Sequence, residues 1–164
     1  MTEERPEIDP EEYETALKEL SQQLQTAVTE IDVHELVCVQ MEERFDHYSW
    51  VGIYVVEGDE LILSAWSGPE ETEHTRIGVG EGICGLAART GETEIVPDVA
   101  AREEFIACFP STKSEIVVPI HSKDGTVIGE IDIDSDWLDA FDERDRDFLE
   151  TVAAQVAEVM ETTG

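Results

Sequence analysis

A chain of 164 residues with 41% hydrophobic side chains is long enough for one domain with a substantial core, and too apolar to remain disordered. Its formal net charge of −30, from 40 acidic residues against 10 Lys and Arg, argues against nucleic acid as a partner because the phosphates would be repelled. No apolar run approaches the ~20 residues that cross a bilayer, and the acidic N-terminus lacks an apolar signal region. We therefore predict a cytoplasmic protein that does not contact membranes.

The acidic residues are spread along the whole chain and are not collected in one tail. Self-repulsion of this size destabilises a compact state in dilute salt, whereas the Debye length shrinks to ~3 Å near 1 M salt. The charge therefore predicts a halophilic protein that folds in a very salty cytoplasm. An ordinary acidic protein is the alternative.

Helical signals stand at the two ends of the chain. Residues 1–8 are predicted to be an acidic lead-in, and a single domain is predicted over residues 9–162. Asp9, followed by proline, is predicted to cap the first helix, and Asp32 to cap the second. A long amphipathic helix is predicted from about Asp142.

Between these helices the sequence pattern changes to that of strands. Aromatic and β-branched residues dominate 48–56 and 60–66, and a short strand is expected over 93–96. Two further strands, 114–120 and 126–134, are joined by a Lys-Asp-Gly turn that is typical of a hairpin. The order predicts an α+β domain with a central, mainly antiparallel sheet of about six strands, and with the N- and C-terminal helices packed on one side.

Acidic residues alternate with isoleucines in the segment GEIDIDS. Because side chains alternate faces along a strand, Glu130, Asp132 and Asp134 are predicted to point to one face and the isoleucines to the other. Glu115 begins the neighbouring predicted strand. A carboxylate face beside a core strand suits an ammonium ligand or a metal, and like-charge repulsion raises the pKa of at least one carboxyl. A solvated strand face is the alternative.

The three cysteines, Cys38, Cys84 and Cys108, are too few for a disulfide framework and lack the spacing of zinc ligands. Cys108 lies in a polar predicted loop, where reactive groups are often found. Cys84 begins a short predicted helix, and a helix N-terminus lowers the pKa of a thiol. Either thiol could instead be an inert small hydrophobe, and Cys38, near the apolar face of a helix, is predicted to be one.

Several other residues are candidates for the site. Trp50, Tyr54 and Trp66 lie near one another in the predicted sheet, and they could wall a pocket or simply belong to the core. His74 and His121 are isolated and are predicted to lie at the surface. The turn RIGVGEGICG lacks the Lys and Ser/Thr of a phosphate-binding loop, so its glycines are predicted to allow a tight turn and close backbone approach to a ligand.

Four motifs occur in order along the chain: SWVGIYVVEGDELIL, RIGVGEGICGLAA, IACFPSTKSEIVVPI and GEIDIDS. Together they resemble a GAF domain, and more closely the free methionine-(R)-sulfoxide reductase family, over about residues 10–160. The resemblance implies a GAF-like fold and thiol-dependent reduction of free methionine-(R)-sulfoxide to methionine. It implies no metal and no cofactor, but an external reductant such as thioredoxin. A homodimer through the terminal helices is compatible with the resemblance.

The resemblance also implies residue roles. Cys108 matches the catalytic cysteine, whose thiolate attacks the sulfoxide sulfur and becomes a sulfenic acid. Cys84 matches a second cysteine that can form a disulfide with Cys108. Glu115, Asp132 and Asp134 match acids that hold the amino group of the substrate and help to protonate the sulfoxide oxygen. The pocket around the methyl and sulfur end of the substrate would be lined by Trp50, Tyr54 and Trp66.

The chain departs from the family pattern at two positions. His74 stands where many members carry a third cysteine that serves as the main resolving residue. Resolution would then fall to Cys84 or to an external thiol. Glu130 stands where a small apolar residue is common. The alternative function is a non-catalytic GAF domain that binds a small ligand or senses oxidants and acts through a partner.

Overall fold

The computed structural model describes residues 5–102 and 111–163. Within them the helices are α1 Pro10–Leu24, α2 Glu30–Arg44, α3 Gly82–Thr90 and α4 Glu143–Thr163, with a 3-10 turn at Val99–Ala101. The strands are β1 Trp50–Glu57, β2 Glu60–Ser67, β3 Arg76–Gly78, β4 Glu94–Val96, β5 Ser114–His121 and β6 Val127–Ser135. None of these helices is long and apolar enough to span a membrane.

The six strands form one sheet in the order β3-β2-β1-β6-β5-β4. Every neighbouring pair is antiparallel. The α+β class, the antiparallel sheet and the hairpin between β5 and β6 are therefore confirmed. The strand that carries GEIDIDS is β6, and it lies in the centre of the sheet between β1 and β5.

The two N-terminal helices begin at local capping interactions. The Asp9 side chain accepts a hydrogen bond from the backbone of Glu11, as predicted for the first helix. The second helix begins at Glu30, so the prediction that Asp32 is its cap was wrong. Thr29 is the cap: its hydroxyl accepts from the Asp32 backbone while the Asp32 carboxylate accepts from the Thr29 backbone. Asp32 therefore contributes as the third helical residue of a capping box.

The two faces of the sheet differ in what covers them. One face carries Val51, Ile53, Ile131 and Ile133, which are fully buried beneath α2 and α4. Complete burial of one such side chain contributes about 1.5–3 kcal/mol, so this layer is a main source of stability. The first helix contacts α2 and α4, which confirms that the terminal helices pack on one side. Among the described helices, only α3 packs on the opposite face, against β3, β5 and β6.

A buried carboxylate joins the N-terminal segment to the last helix, and sequence analysis did not predict it. Asp145 accepts hydrogen bonds from the hydroxyls of Tyr13 and Tyr48, at 3.1 and 2.9 Å, and from His47 Nε2 at 2.9 Å. It also pairs with the Arg5 guanidinium. Burial opposes ionisation, but the hydrogen bond from His47 and the charge of Arg5 hold the pKa of Asp145 well below its usual range. Part of the segment ahead of α1 is thereby fastened to the domain.

Candidate functional site

Four carboxyl groups lie together on the face of the sheet that α3 covers. The alternation along β6 directs Glu130, Asp132 and Asp134 to this face, and Glu115 pairs with Asp134 in the β5–β6 ladder. None of the four is more than 4% exposed. The predicted grouping is confirmed, and the alternative of a solvated strand face is wrong because other parts of the protein cover these side chains.

A tight backbone contact brings α3 and its cysteine close to the acids. A Cβ atom on Gly85 would lie 2.6 Å from the carbonyl oxygen of Gly78, so only glycine lets the first turn of α3 approach the preceding loop. This turn was predicted to approach a ligand closely, and the close approach that the structure shows is to the protein's own backbone. As a result, ligating atoms of Cys84, Glu115 and Asp132 all lie within 4.8 Å of one another.

The Cys84 thiol does not have the acidic character that its helix position suggested. Burial raises its pKa well above the ordinary value, and the negative charges of Asp132, Glu130 and Glu115 raise it further. The field of a helix N-terminus contributes about 0.3–1 kcal/mol, which is too little to offset complete burial beside acids. The prediction that the helix lowers the pKa of Cys84 was therefore wrong.

The carboxyls share protons because none of them is well solvated. Burial raises the pKa of Glu115 well above the ordinary range, and the negative charges of Asp132 and Asp134 beside it raise it further. Burial also raises the pKa of Asp132, but hydrogen bonds from Glu115 and from the Cys84 thiol act in the opposite direction. A proton on Glu115 with charge on Asp132 is the arrangement that this geometry favours.

The acids have few other hydrogen-bond donors. In the part of the chain that the structure describes, no N–H group reaches the buried oxygens of Glu130 or Asp132. The Cys84 thiol lies beside Glu130 and the Thr112 side chain lies beside Asp134, and each neighbour partly offsets the rise in the pKa of its carboxyl. The unbalanced negative charge of this cluster favours a nearby positive charge, which an ammonium group or a metal ion would supply.

Two tryptophans lie on the same face of the sheet at the end near Asp134. The rings of Trp50 and Trp66 are stacked, with their planes at 11° and centroids 6.4 Å apart. Trp50 is buried, whereas Trp66 is 36% exposed. A Cβ atom on Gly52 would lie 2.3 Å from Cη2 of Trp50, and one on Gly68 would lie 2.5 Å from its Cδ1. The Trp50 indole can lie flat only because these two positions are glycine.

The other predicted residues have distinct locations. Tyr54 is buried opposite Glu130, and its hydroxyl donates to the carbonyl oxygen of His74 at 2.7 Å. His121 is exposed, as predicted, whereas His74 is half-buried. Cys38 is completely buried in the core between the helices and the sheet, as predicted.

Cys108 lies outside the described residues, so its assignment as the nucleophile remains a prediction. The described chain resumes at Ser111, and the next residue, Thr112, contacts Asp134. Contributions of Thr112, Gly52 and Gly68 to the site were not predicted from the sequence. A glycine inside a strand of otherwise bulky residues is a signal of close approach, and Gly52 could have been found in this way.

The arrangement defines an α+β domain that buries an acidic cluster and a cysteine on one face of an antiparallel sheet. Residues 14–161 match the GAF domain family, and the chain belongs to that family. The chain is similar to GAF domain-containing protein A of Dictyostelium discoideum, with 40% identity over 85% of this chain and 86% of that protein.

Two further comparisons narrow the similarity within the family. The free methionine-R-sulfoxide reductase of Escherichia coli is 36% identical over 74% of this chain and 72% of its own length. The structure of free methionine-R-sulfoxide reductase from Neisseria meningitidis in complex with its substrate superimposes with a TM-score of 0.89. The two chains in that superposition are 33% identical, and it covers 99% of this chain and 96% of the other.

Proposed function

We propose that this protein reduces free methionine-(R)-sulfoxide to methionine. The observation that carries the proposal is the buried cluster of Glu115, Asp132 and Asp134 beside the stacked tryptophans, within a fold closely similar to a substrate-bound reductase. A free amino acid differs from a residue in a peptide by its charged amino group. Buried carboxylates are suited to recognising that group.

The acids would divide the tasks of binding and proton transfer. Asp132, whose buried oxygens lack a donor among the described residues, would attract the ammonium group as a carboxylate. Glu115 retains a proton because of its burial and its two acidic neighbours, so it is suited to donate to the sulfoxide oxygen. Trp50 and Trp66 would contact the methyl and sulfur end of the substrate.

The first chemical step would transfer the sulfoxide oxygen to a cysteine. The thiolate of Cys108 attacks the sulfoxide sulfur, the sulfur–oxygen bond breaks, and a proton joins the oxygen as it bonds to the cysteine sulfur. The products are methionine, reduced by two electrons, and a Cys108 sulfenic acid. No organic cofactor or metal is needed for this step.

The second step would regenerate the thiol. Cys84 attacks the sulfenic acid, the disulfide forms, and the hydroxyl leaves with the thiol proton as water. A dithiol protein such as thioredoxin then reduces the disulfide. Cys84 must lose its proton to attack, and that proton leaves with the hydroxyl as water; burial beside the acids makes this loss the demanding part of the step. An external thiol acting directly on Cys108 is the other route, since His74 replaces the usual third cysteine.

The test is turnover of purified protein with the separate R and S epimers of free methionine sulfoxide, with methionine as the measured product. We expect turnover of the R epimer and its loss in Cys108→Ser. Asp132→Asn should raise KM strongly, whereas Asp124→Asn in the exposed β5–β6 turn is the matched control. A protein that turns over neither epimer in any salt would be better described as the ligand-binding or redox-sensing domain considered above.

Two reductants distinguish the routes of regeneration. If Cys84 resolves, Cys84→Ser should slow thioredoxin-dependent turnover more than dithiothreitol-dependent turnover. Cys38→Ser, which changes a thiol in the core, should slow neither reaction. Equal slowing with both reductants would refute a resolving role for Cys84.

Running the assay from dilute to molar KCl tests the prediction that the protein is halophilic. Activity should rise with salt as the surface charge is screened. Thioredoxin, a homodimer and a cytoplasmic location remain predictions.

A further inference from the structure

We propose that Cys84, Glu115 and Asp132 form a binding site for a thiophilic divalent cation, with Zn²⁺ as the reference ion. Inhibition by the bound ion rests on the proposed function, whereas cation binding itself does not. The sequence shows no zinc motif because the three ligands come from three separate elements, α3, β5 and β6. Only the fold brings them together.

The distances are close to those that a metal site requires. One sulfur and two carboxyl oxygens lie within 4.8 Å of one another. In a tetrahedral zinc site, with Zn–S near 2.3 Å and Zn–O near 2.1 Å, ligand atoms are about 3.4–3.6 Å apart. Rotations of the two carboxyl side chains that move their oxygens by about 1 Å close this gap. Three protein ligands would leave the fourth position for water or for Glu130.

Independent support comes from the buried oxygens that have no strong donor. Both carboxyl oxygens of Asp132 and both of Glu130 are completely buried, and no N–H group in the described residues donates to them. Asp132 is 1% exposed and Glu130 is fully buried. A cation at this position would satisfy oxygens that the protein itself leaves to shared protons and a weak thiol donor.

The ligand set also selects among cations. A thiolate ligand favours zinc, cadmium and cobalt over magnesium and calcium, which prefer oxygen ligands only. The exposed acids of this chain would attract any divalent cation, but molar salt screens them. Preference for a thiophilic ion in high salt is therefore the property that separates this site from the rest of the surface.

Occupation of the site would oppose the proposed reaction in two ways. The ion would neutralise Asp132, which the proposal assigns to the ammonium group of the substrate. It would also hold the Cys84 sulfur as a ligand and so keep it from attacking Cys108. The reduced protein would then be silenced by a thiophilic ion, and an oxidised Cys84 could not bind one.

Cobalt reports directly on such a site, because a cobalt–thiolate bond produces a charge-transfer band in the near ultraviolet. We would titrate Co²⁺ into reduced Cys108→Ser protein in molar salt with excess Mg²⁺, so that Cys84 and Cys38 are the remaining thiols. We expect one ion per chain, a charge-transfer band, and displacement of cobalt by Zn²⁺. Cys84→Ser should abolish the band, whereas Cys38→Ser, which changes the core thiol, should retain it.

Two carboxyl variants test the same site even if Cys84→Ser does not fold. Asp132→Asn and Glu115→Gln should each weaken cobalt affinity at least about tenfold, the loss expected when one ligand is removed. A band that survives Cys84→Ser, an ion displaced by Mg²⁺, or affinity unchanged in both carboxyl variants would overturn the proposal.

Calorimetry separates the cation site from the proposed function. Binding of free methionine-(R)-sulfoxide to the same Cys108→Ser protein should weaken when one equivalent of Zn²⁺ is present. If the sulfoxide does not bind at all, the proposed function fails, while the cobalt result still decides the cation site. If the sulfoxide binds equally well with Zn²⁺ present, the inhibitory consequence is refuted.

Discussion

Replacing Glu130 by glutamine should change how the stability of this protein depends on pH. Glu130 is fully buried, and burial together with the neighbouring charge of Asp132 raises its pKa well above the ordinary value. In the unfolded chain the same carboxyl titrates near the ordinary value of ~4.3. Between these two pKa values the folded state holds a proton that the unfolded state has lost. The free energy of unfolding must therefore fall as the pH rises through this window.

The size of the effect follows from linkage. One excess proton in the folded state lowers the free energy of unfolding by about 1.4 kcal/mol per pH unit. Above about pH 5.5 the wild type should lose stability that Glu130→Gln does not lose, until the pH passes the raised pKa of the folded state. The variant should therefore become more stable relative to the wild type as the pH rises, because glutamine has a similar shape and does not titrate.

Urea unfolding at several pH values, in a fixed molar concentration of salt, measures this difference. Glu57→Gln is the matched control, because Glu57 is exposed at the end of β1, and it should follow the wild-type pH dependence. If the free energies of unfolding of Glu130→Gln and the wild type run parallel from about pH 5.5 to 7.5, Glu130 does not hold an extra proton. The account of the acidic cluster as a proton-sharing group would then be refuted.

Two further substitutions test parts of the fold that position the site. Gly52→Ala would place a Cβ atom 2.3 Å from Cη2 of Trp50, so we expect loss of the near-ultraviolet circular dichroism of the stacked indoles and weaker sulfoxide binding. Gly58→Ala is the control, because Gly58 has a φ of +64° and no atom within 4 Å, so this variant introduces backbone strain without a clash. An unchanged circular dichroism spectrum in Gly52→Ala would contradict the packing of Trp50 against Gly52. Asp145→Ala leaves Arg5 without its buried partner and should lower the free energy of unfolding by about 3–5 kcal/mol in urea. A loss below about 1 kcal/mol would show that this ion pair contributes as little as a surface pair.

The local pattern of the sequence determined the elements and one face of the site. Strict alternation in GEIDIDS predicted that its three acids share a face, because a strand has a two-residue period. Caps, turns and helical periodicity similarly predicted most of the helix and strand positions, but they missed the short strand β3 and placed the start of α2 wrongly.

Tertiary structure decided the chemical character of these groups. Whether the acids are solvated depends on what covers their face, and α3 covers it from a position that no local pattern predicts. The same burial reverses the expected effect on Cys84, since desolvation and neighbouring acids outweigh a helix N-terminus. The distance between Cys84, Glu115 and Asp132 was likewise fixed only when three distant segments packed together. A pKa and the distances between ligands depend on which groups lie nearby in three dimensions. The sequence therefore identified these residues as candidates, whereas only the fold determined their protonation and their partners.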